Sequence, residues 1–267
     1  MAEVSMRSYL PYVGGKAKMA HRLTQLMPEH KVYAETHCGG AWVFFAKSPS
    51  KVEAINDADR NLITLHRVVE HHPEEFLRCL NKSLVTARQE YNRWRSLDVR
   101  YLTDIQRAVR FFVLMRLGWY GRPHGGHHIC SGKTAPPLNR STLAEVIQKA
   151  SERLQNAWIE CMDFEPFVER FDSGETLFFC DPPYEGSTAF YSTPWEPSDD
   201  ERMQTMLNSV EGKVLITIKD SERVRTLYYG WNILPYTAIW STRKRQPQNV
   251  NELIISNYDL STGTLSI

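Results

Sequence analysis

The segment Thr176-Leu177-Phe178-Phe179-Cys180 runs directly into Asp181-Pro182-Pro183-Tyr184. A short, nearly unbroken apolar run that stops at turn residues reads as a strand buried on both faces. Such strands belong to parallel sheets with helices packed on either side, so this one segment points to an α/β protein. The paired prolines end the strand by removing backbone donors and stiffening the turn. Open α/β sheets bind their ligands beyond the carboxyl ends of the strands. The turn at Asp181–Tyr184 is therefore the first place to expect chemistry.

The flanking pattern agrees. Lys31–Cys38 reads as a strand ending at Gly39 and Gly40, with a helical stretch at Ala41–Ala46. Lys51–Asp57 is a second strand candidate, and Asn61–Val69 has helical spacing. This strand–helix–strand–helix opening argues for parallel pairing. From about Glu70 to Leu117 the sequence reads as helices, free of proline after Pro73. Gly118–Asn139 is a loop rich in Gly, Pro and His, and Ser141 starts a further helix, with Ser141 and Thr142 placed before Glu145 as a cap. Strands are expected again at Trp158–Phe164, Thr176–Cys180, Val214–Ile218, Asn232–Ile239 and Glu252–Asn257. The simplest organisation is one α/β domain formed by residues 1–65 and 156–267, split by a mainly helical insert at 66–155.

Several classes fall away. A chain of 267 residues that is 42% hydrophobic is long and apolar enough to bury a sizeable core. No run approaches the roughly 18 apolar residues of a membrane span, and Met1–Tyr12 lacks the apolar core of a signal peptide. Cys38, Cys79, Cys130, Cys161 and Cys180 are scattered and odd in number, which fits reduced thiols and a cytoplasmic location. The net charge of +1 conceals a division. Arg88–Arg140 holds ten Lys or Arg against three acidic residues, whereas Glu160–Glu201 holds twelve acidic residues against one basic. A basic module for a polyanion, inside a domain of other purpose, is one reading; solvated faces are the other.

The Asp181–Tyr184 turn offers a carboxylate, a stiff backbone carbonyl and an aromatic face. Those parts suit a planar substrate bearing an exocyclic amine. An aromatic amine is a poor nucleophile because its lone pair is delocalised into the ring. Acceptors on both N–H bonds, from Asp181 and the Pro182 carbonyl, favour a pyramidal nitrogen, and negative charge nearby stabilises the cation formed on methyl attack. A strand that merely turns on prolines is the plainer alternative.

The ordered motifs of the chain resemble those of the Dam-type DNA N6-adenine methyltransferases, the D12 class of the alpha group. Tyr12-Val13-Gly14-Gly15-Lys16 is similar to W-A-G-G-K, and Glu35-Thr36-His37-Cys38-Gly39-Gly40-Ala41 to E-P-F-x-G-x-G. Asn56-Asp57, the run Phe111–Arg116 with Gly118, Asp163-Phe164, the Asp181–Tyr184 turn and Asn251-Glu252-Leu253-Ile254 follow in the family's order. Each motif is weak alone; the ordered set is specific. His37 stands where the family has Phe, Gly40 and Ala41 reverse the usual order, and Trp42 replaces a small residue.

The resemblance implies a Rossmann-like, S-adenosylmethionine-dependent methyltransferase fold with a mainly helical target-recognition insert. It implies S-adenosylmethionine as cofactor and Asp181, Pro182, Pro183 and Tyr184 as catalytic residues, with Tyr184 stacking on the target base. Tyr12, Lys16, Asp57 and Asp181 are the leading cofactor contacts, followed by Glu35, Gly39, Asp163 and Phe164. The physical reading concurs: a strand–Gly–Gly–helix turn admits close backbone approach, Asp57 at a strand end suits ribose hydroxyls, and Lys16 suits a carboxylate. The plainer roles are a helix-capping Asp57, a solvated Lys16, a strand-end Glu35 and a core Phe164.

By the same resemblance the insert binds duplex DNA, and the target adenine must leave the stack to be reached. Arg116, Trp119, Tyr120, Arg122 and His124 are the DNA-binding candidates: guanidinium groups read guanine or phosphate, and aromatic rings wedge into a vacated stack. Trp119 in a core and Arg122 in solvent are the alternatives. Tyr120 and His124 stand where readers of GATC carry Asn and Arg, and Pro11 where they carry Lys, so the target sequence stays open. No membrane association, metal or obligatory protein partner is called for. The spacing of His124, His127, His128 and Cys130 matches no standard zinc site. Gly132-Lys133-Thr134 lacks the upstream glycine of a phosphate loop, and no Pro-Cys pair supports cytosine-C5 chemistry. Methylation of an amine in RNA or protein, and a DNA-binding protein that has lost catalysis, are the remaining rivals.

Overall fold

The computed structural model describes residues 6–12, 14, 16–83, 88–118, 140–184, 194–240 and 248–260. Its centre is a seven-stranded sheet built from β1 (Val32–Glu35), β2 (Val52–Asn56), β3 (Ala157–Glu160), β4 (Thr176–Cys180), β5 (Lys213–Lys219), β6 (Asn232–Trp240) and β7 (Gln248–Ser256). The spatial order is β3-β2-β1-β4-β5-β7-β6. The first five strands pair in parallel, and β7 lies antiparallel between β5 and β6. This is an open, Rossmann-like sheet, in which the strand order reverses direction between β1 and β4.

Alternation along the strands divides the core in two. Every residue of β4 is buried. Leu177 and Phe179 join Tyr33, Ile55, Leu215 and Ile254 on one face, while Phe178 and Cys180 join Ala34, Ala54, Val214 and Ile255 on the other. Period-two geometry thus feeds two helical layers from one strand. The first face is covered by α1 (Ala20–Gln25), α2 (Trp42–Ala46), α3 (Arg60–His71), α4 (Pro73–Ser83), α6 (Asp104–Leu117) and α7 (Arg140–Leu154). The second is covered by α8 (Phe164–Phe171), α9 (Pro197–Ser209) and α10 (Glu222–Leu227). The short α5 (Arg88–Ser96) adds Tyr91 and Trp94 to the first face.

Local chemistry sets the boundaries. Asp59 caps α3 by accepting from the backbone N–H groups of Asn61 and Leu62. Thr103 and Gln106 form a reciprocal capping box at the start of α6. The strand expected at Trp158–Phe164 stops at Glu160, because Asp163 turns the chain and caps α8, accepting from Glu165 N–H at 3.1 Å. Phe164 is therefore the first residue of a helix and not the last of a strand. The final strand starts earlier than its apolar core, at Gln248.

The helices between α3 and β3 share the sheet's own core: Phe111, Phe112 and Leu114 of α6 lie in the same cluster as Leu62 and Leu65 of α3. α7 is tied down by charge. Glu53 of β2, buried, accepts from Lys47 at 2.6 Å and from Arg153 of α7, which also donates to the Phe44 carbonyl at 2.9 Å. No helix among the described residues is long and apolar enough to cross a membrane.

Candidate active site

At the carboxyl end of β1 the chain reverses in a tight loop. Cys38 N–H donates to the Asn56 carbonyl of β2 at 2.7 Å, and Ala41 N–H to the Cys38 carbonyl at 2.6 Å. Gly39 has φ of +48°, and a β-carbon there would lie 2.9 Å from the Tyr12 ring. Only glycine meets both demands without strain. Ala41 also adopts the left-handed region, with φ of 51°.

Both polar groups of Gly39 are held. Its N–H donates to Asp57 Oδ2 at 3.0 Å, and its carbonyl lies 3.0 Å from His66 Nε2 of α3. Because a carbonyl can only accept, Nε2 carries the proton; Nδ1 then accepts from the Tyr9 hydroxyl at 2.9 Å. Burial pushes the His66 pKa down to about 4, so the ring is neutral near pH 7. Burial acts oppositely on the acids. It pushes Asp57 up to about 6, and Glu35, which accepts from Tyr33 at 2.6 Å, up to about 8.

The carboxyl end of β4 delivers Asp181. Its Oδ1 accepts from Lys16 Nζ at 2.7 Å, from Thr217 of β5 at 2.8 Å and from the Tyr184 hydroxyl at 3.1 Å. Burial raises the Asp181 pKa, and Lys16 pulls against that rise. Lys16 also donates to the Tyr184 hydroxyl at 2.7 Å and to the Gly14 carbonyl at 3.1 Å. The second carboxylate of the cluster is Glu252 of β7, 3.8 Å from Lys16 Nζ and 3.2 Å from the Tyr184 hydroxyl.

These elements enclose one cavity. Tyr12, Lys16, Glu35, Gly39, Asp57, Asp163, Phe164 and Asp181 all line it, so every cofactor candidate of the sequence analysis comes together. Pro183 lines it too, while Pro182 and Tyr184 are buried. Beyond Asp57, His37, Phe164 and Trp195 form a three-ring wall with centroid separations of 5.7, 5.1 and 5.8 Å. Arg202 of α9 lies over the Phe164 ring at 5.0 Å and pairs with Asp163, Glu165 and Asp199.

Arg116 ends α6 half-buried, with its guanidinium donating to the Tyr9 carbonyl and lying 5.5 Å from the Phe112 ring. Trp119, Tyr120, Arg122 and His124 lie outside the described residues. So do His127, His128 and Cys130; among the described residues no cluster of His, Cys, Asp or Glu is placed to hold a metal.

Sequence reasoning missed Thr217, His66, Trp195, Arg202 and the inward role of Glu252. Thr217 carried a signal, as a polar residue in the apolar interior of β5, and Glu252 a weaker one, as an acid beside the apolar run Leu253–Ile255. Trp195 and Arg202 had none: nothing in their neighbourhood announces that α9 faces the loop after β1.

Residues 12–242 match the model of the D12 class N6 adenine-specific DNA methyltransferase family. The chain is 26% identical to a type II methyltransferase of Lactococcus lactis subsp. cremoris, over 96% of this chain and 97% of that protein. It is 27% identical to a retron DNA adenine methylase of Escherichia coli, over 84% of this chain and 81% of that protein. A DNA adenine methylase of Escherichia coli is 25% identical over 67% of this chain and 65% of its own length.

Proposed function

Because the chain belongs to the D12 class N6 adenine-specific DNA methyltransferases and methylates adenine N6 in DNA at specific sites, we propose that S-adenosylmethionine is its methyl donor, bound in the cavity between Gly39 and Asp181. The donor set fits that molecule. Asp57 offers an acceptor for a ribose diol at the end of β2, and the ring wall of Phe164, His37 and Trp195 offers a surface for a purine. Tyr12 and Gly39 shape the loop, Glu35 and Asp163 add acceptors, and Lys16 completes the wall. The cofactor, when bound, supplies an electrophilic methyl group on a cationic sulfur.

The observation that carries this reading is the placement of Asp181 in the cavity wall at the end of β4, with its three protein donors all on Oδ1. That arrangement leaves Oδ2 to accept one N6 hydrogen of a flipped-out adenine, and the Pro182 carbonyl to accept the other. Held between the two acceptors, the nitrogen presents its lone pair in line, and positioning supplies much of the rate. Tyr184 supplies the aromatic face beside it, and Pro183 keeps the turn rigid.

The catalytic part comprises residues 1–65 and 156–267, and residues 66–155 form the DNA-recognition insert. Arg88, Arg93, Arg95 and Arg100 are exposed on that insert, suited to phosphates. Trp119, Tyr120, Arg122 and His124 follow α6 and are the candidates for base contact and for filling the vacated stack. Arg116 ties the end of α6 to the Tyr9 carbonyl.

Purified protein mixed with labelled S-adenosylmethionine and unmethylated duplex DNA tests the reading, with the modified base identified after hydrolysis. N6-methyladenine made by the wild type and lost in Asp181→Ala is the expected result. Cofactor binding without any methylated base overturns it.

A further inference from the structure

We propose that Glu252 is a positioning residue for methyl transfer, holding Tyr184 and Lys16 in register with Asp181 from the antiparallel strand β7. The inference rests on the reading of the Asp181 turn given above.

The geometry is specific. Glu252 is 2% exposed, and its direct cross-strand partner on β6 is Tyr236. Paired residues of an antiparallel ladder point to the same face, and the Tyr236 hydroxyl donates to Glu252 Oε2. The same oxygen lies 3.2 Å from the Tyr184 hydroxyl and 3.8 Å from Lys16 Nζ. Tyr184 thus stands between two carboxylates, 3.1 Å from Asp181 Oδ1 on its other side. A phenol held at its oxygen has the axis from its β-carbon to its hydroxyl fixed, which sets where the ring lies beside a base.

Charge follows from the same contacts. Lys16 lies within 4 Å of both carboxylates, 2.7 Å from Asp181 and 3.8 Å from the buried Glu252, and Arg22 of α1 adds a second positive charge acting on Tyr236. A purely structural Glu252 would satisfy Tyr236 and leave the chemistry untouched. The groups facing Asp181 are Lys16, Tyr184, Thr217, Glu252, Tyr236, Glu35 and Cys180. Lys16 favours ionisation of Asp181, and Glu252 opposes it.

The test compares wild type with Glu252→Gln and Tyr236→Phe, reading kcat and KM across pH. Calorimetry adds the affinities for cationic S-adenosylmethionine and neutral S-adenosylhomocysteine. Glu252→Gln is expected to lower kcat by roughly 10-fold or more with KM for the cofactor within about 3-fold, and to move the acid limb of kcat to lower pH. The preference for the cationic ligand is expected to fall by about 3-fold or more. Tyr236→Phe keeps the charge but removes a donor to it, so its acid limb is expected to move the other way. That variant decides the matter if Glu252→Gln does not fold. A slower Glu252→Gln whose acid limb and ligand preference are those of wild type overturns the proposal, as does a Tyr236→Phe with an unmoved limb when Glu252→Gln does not fold. A wild type that discriminates the ligands but methylates no DNA overturns the functional reading alone; the ligand preference of Glu252→Gln then decides this one. Failure to bind either ligand overturns both.

Discussion

Tyr9 and His66 meet at 2.9 Å, hydroxyl to Nδ1, and the other nitrogen of the same ring reaches the carbonyl of Gly39, in the cavity-lining loop after β1, at 3.0 Å. A neutral buried imidazole here links three segments far apart in sequence: the N-terminal segment, the loop after β1, and α3. Since Tyr9 also receives Arg116 at its carbonyl, the last turn of the basic helix α6 is connected to that loop through two residues.

The first prediction concerns this ring. His66→Phe fills similar space but leaves the Tyr9 hydroxyl and the Gly39 carbonyl without their partner. Each orphaned buried group costs about 1–3 kcal/mol, and the loss falls on the loop that lines the cavity. A rise of roughly 10-fold in the cofactor Kd is expected, with the rate at saturation little changed. Calorimetry of cofactor binding checks it; an unchanged Kd in a folded variant rejects the linkage.

A second prediction follows from Glu35. Its carboxyl is held at about 8 by burial, against an ordinary value of 4.5. The folded state therefore retains a proton that the unfolded state releases, and stability from this group is full below 4.5 and is lost as pH rises through about 8. Glu35→Gln removes the titration. The variant should gain stability relative to wild type by a few kcal/mol, on the order of 1.4 per pKa unit, between pH 5 and pH 9. Urea unfolding at the two pH values measures the difference; equal differences at both would reject a buried, protonated Glu35.

A third prediction separates two arginines of the insert. Arg116 is committed to the Tyr9 carbonyl, so Arg116→Gln should lower stability by about 1–2 kcal/mol and leave the salt dependence of DNA binding as it was. Arg88→Gln, which removes an exposed guanidinium proposed for a phosphate, should reduce the slope of log K against log salt by about 1. Filter binding over a series of salt concentrations reads both. A slope change in Arg116→Gln of the same size would place its guanidinium on DNA.

The parts legible in the sequence were those written in contiguous residues. The apolar run before Asp181 announced a doubly covered strand, and the pair Gly39-Gly40 announced a turn with close approach, because each feature depends on neighbours along the chain. The Asp163 turn reads as strand because Trp158 and Ile159 continue into Cys161 and Met162 without an obvious break; the cap that ends it is a contact of the Asp163 side chain with the Glu165 N–H. What escaped notice is assembled across the sheet. Lys16, Asp181, Thr217 and Glu252 become neighbours only through the strand order, which no local pattern encodes. The ring wall has the same origin: His37 follows β1, Phe164 opens α8 and Trp195 precedes α9.

The position of β7 also carries a consequence for biosynthesis. It is inserted between β5 and β6, although it is made after both. On the ribosome β6 has no sheet neighbour to join until β7 emerges, and the cluster around Asp181 lacks Glu252 until the same moment. A nascent chain can therefore build the loop that lines the cavity before the cluster at Asp181 is complete. Docking of β7, and not the early folding of that loop, is when the enzyme acquires its power over DNA.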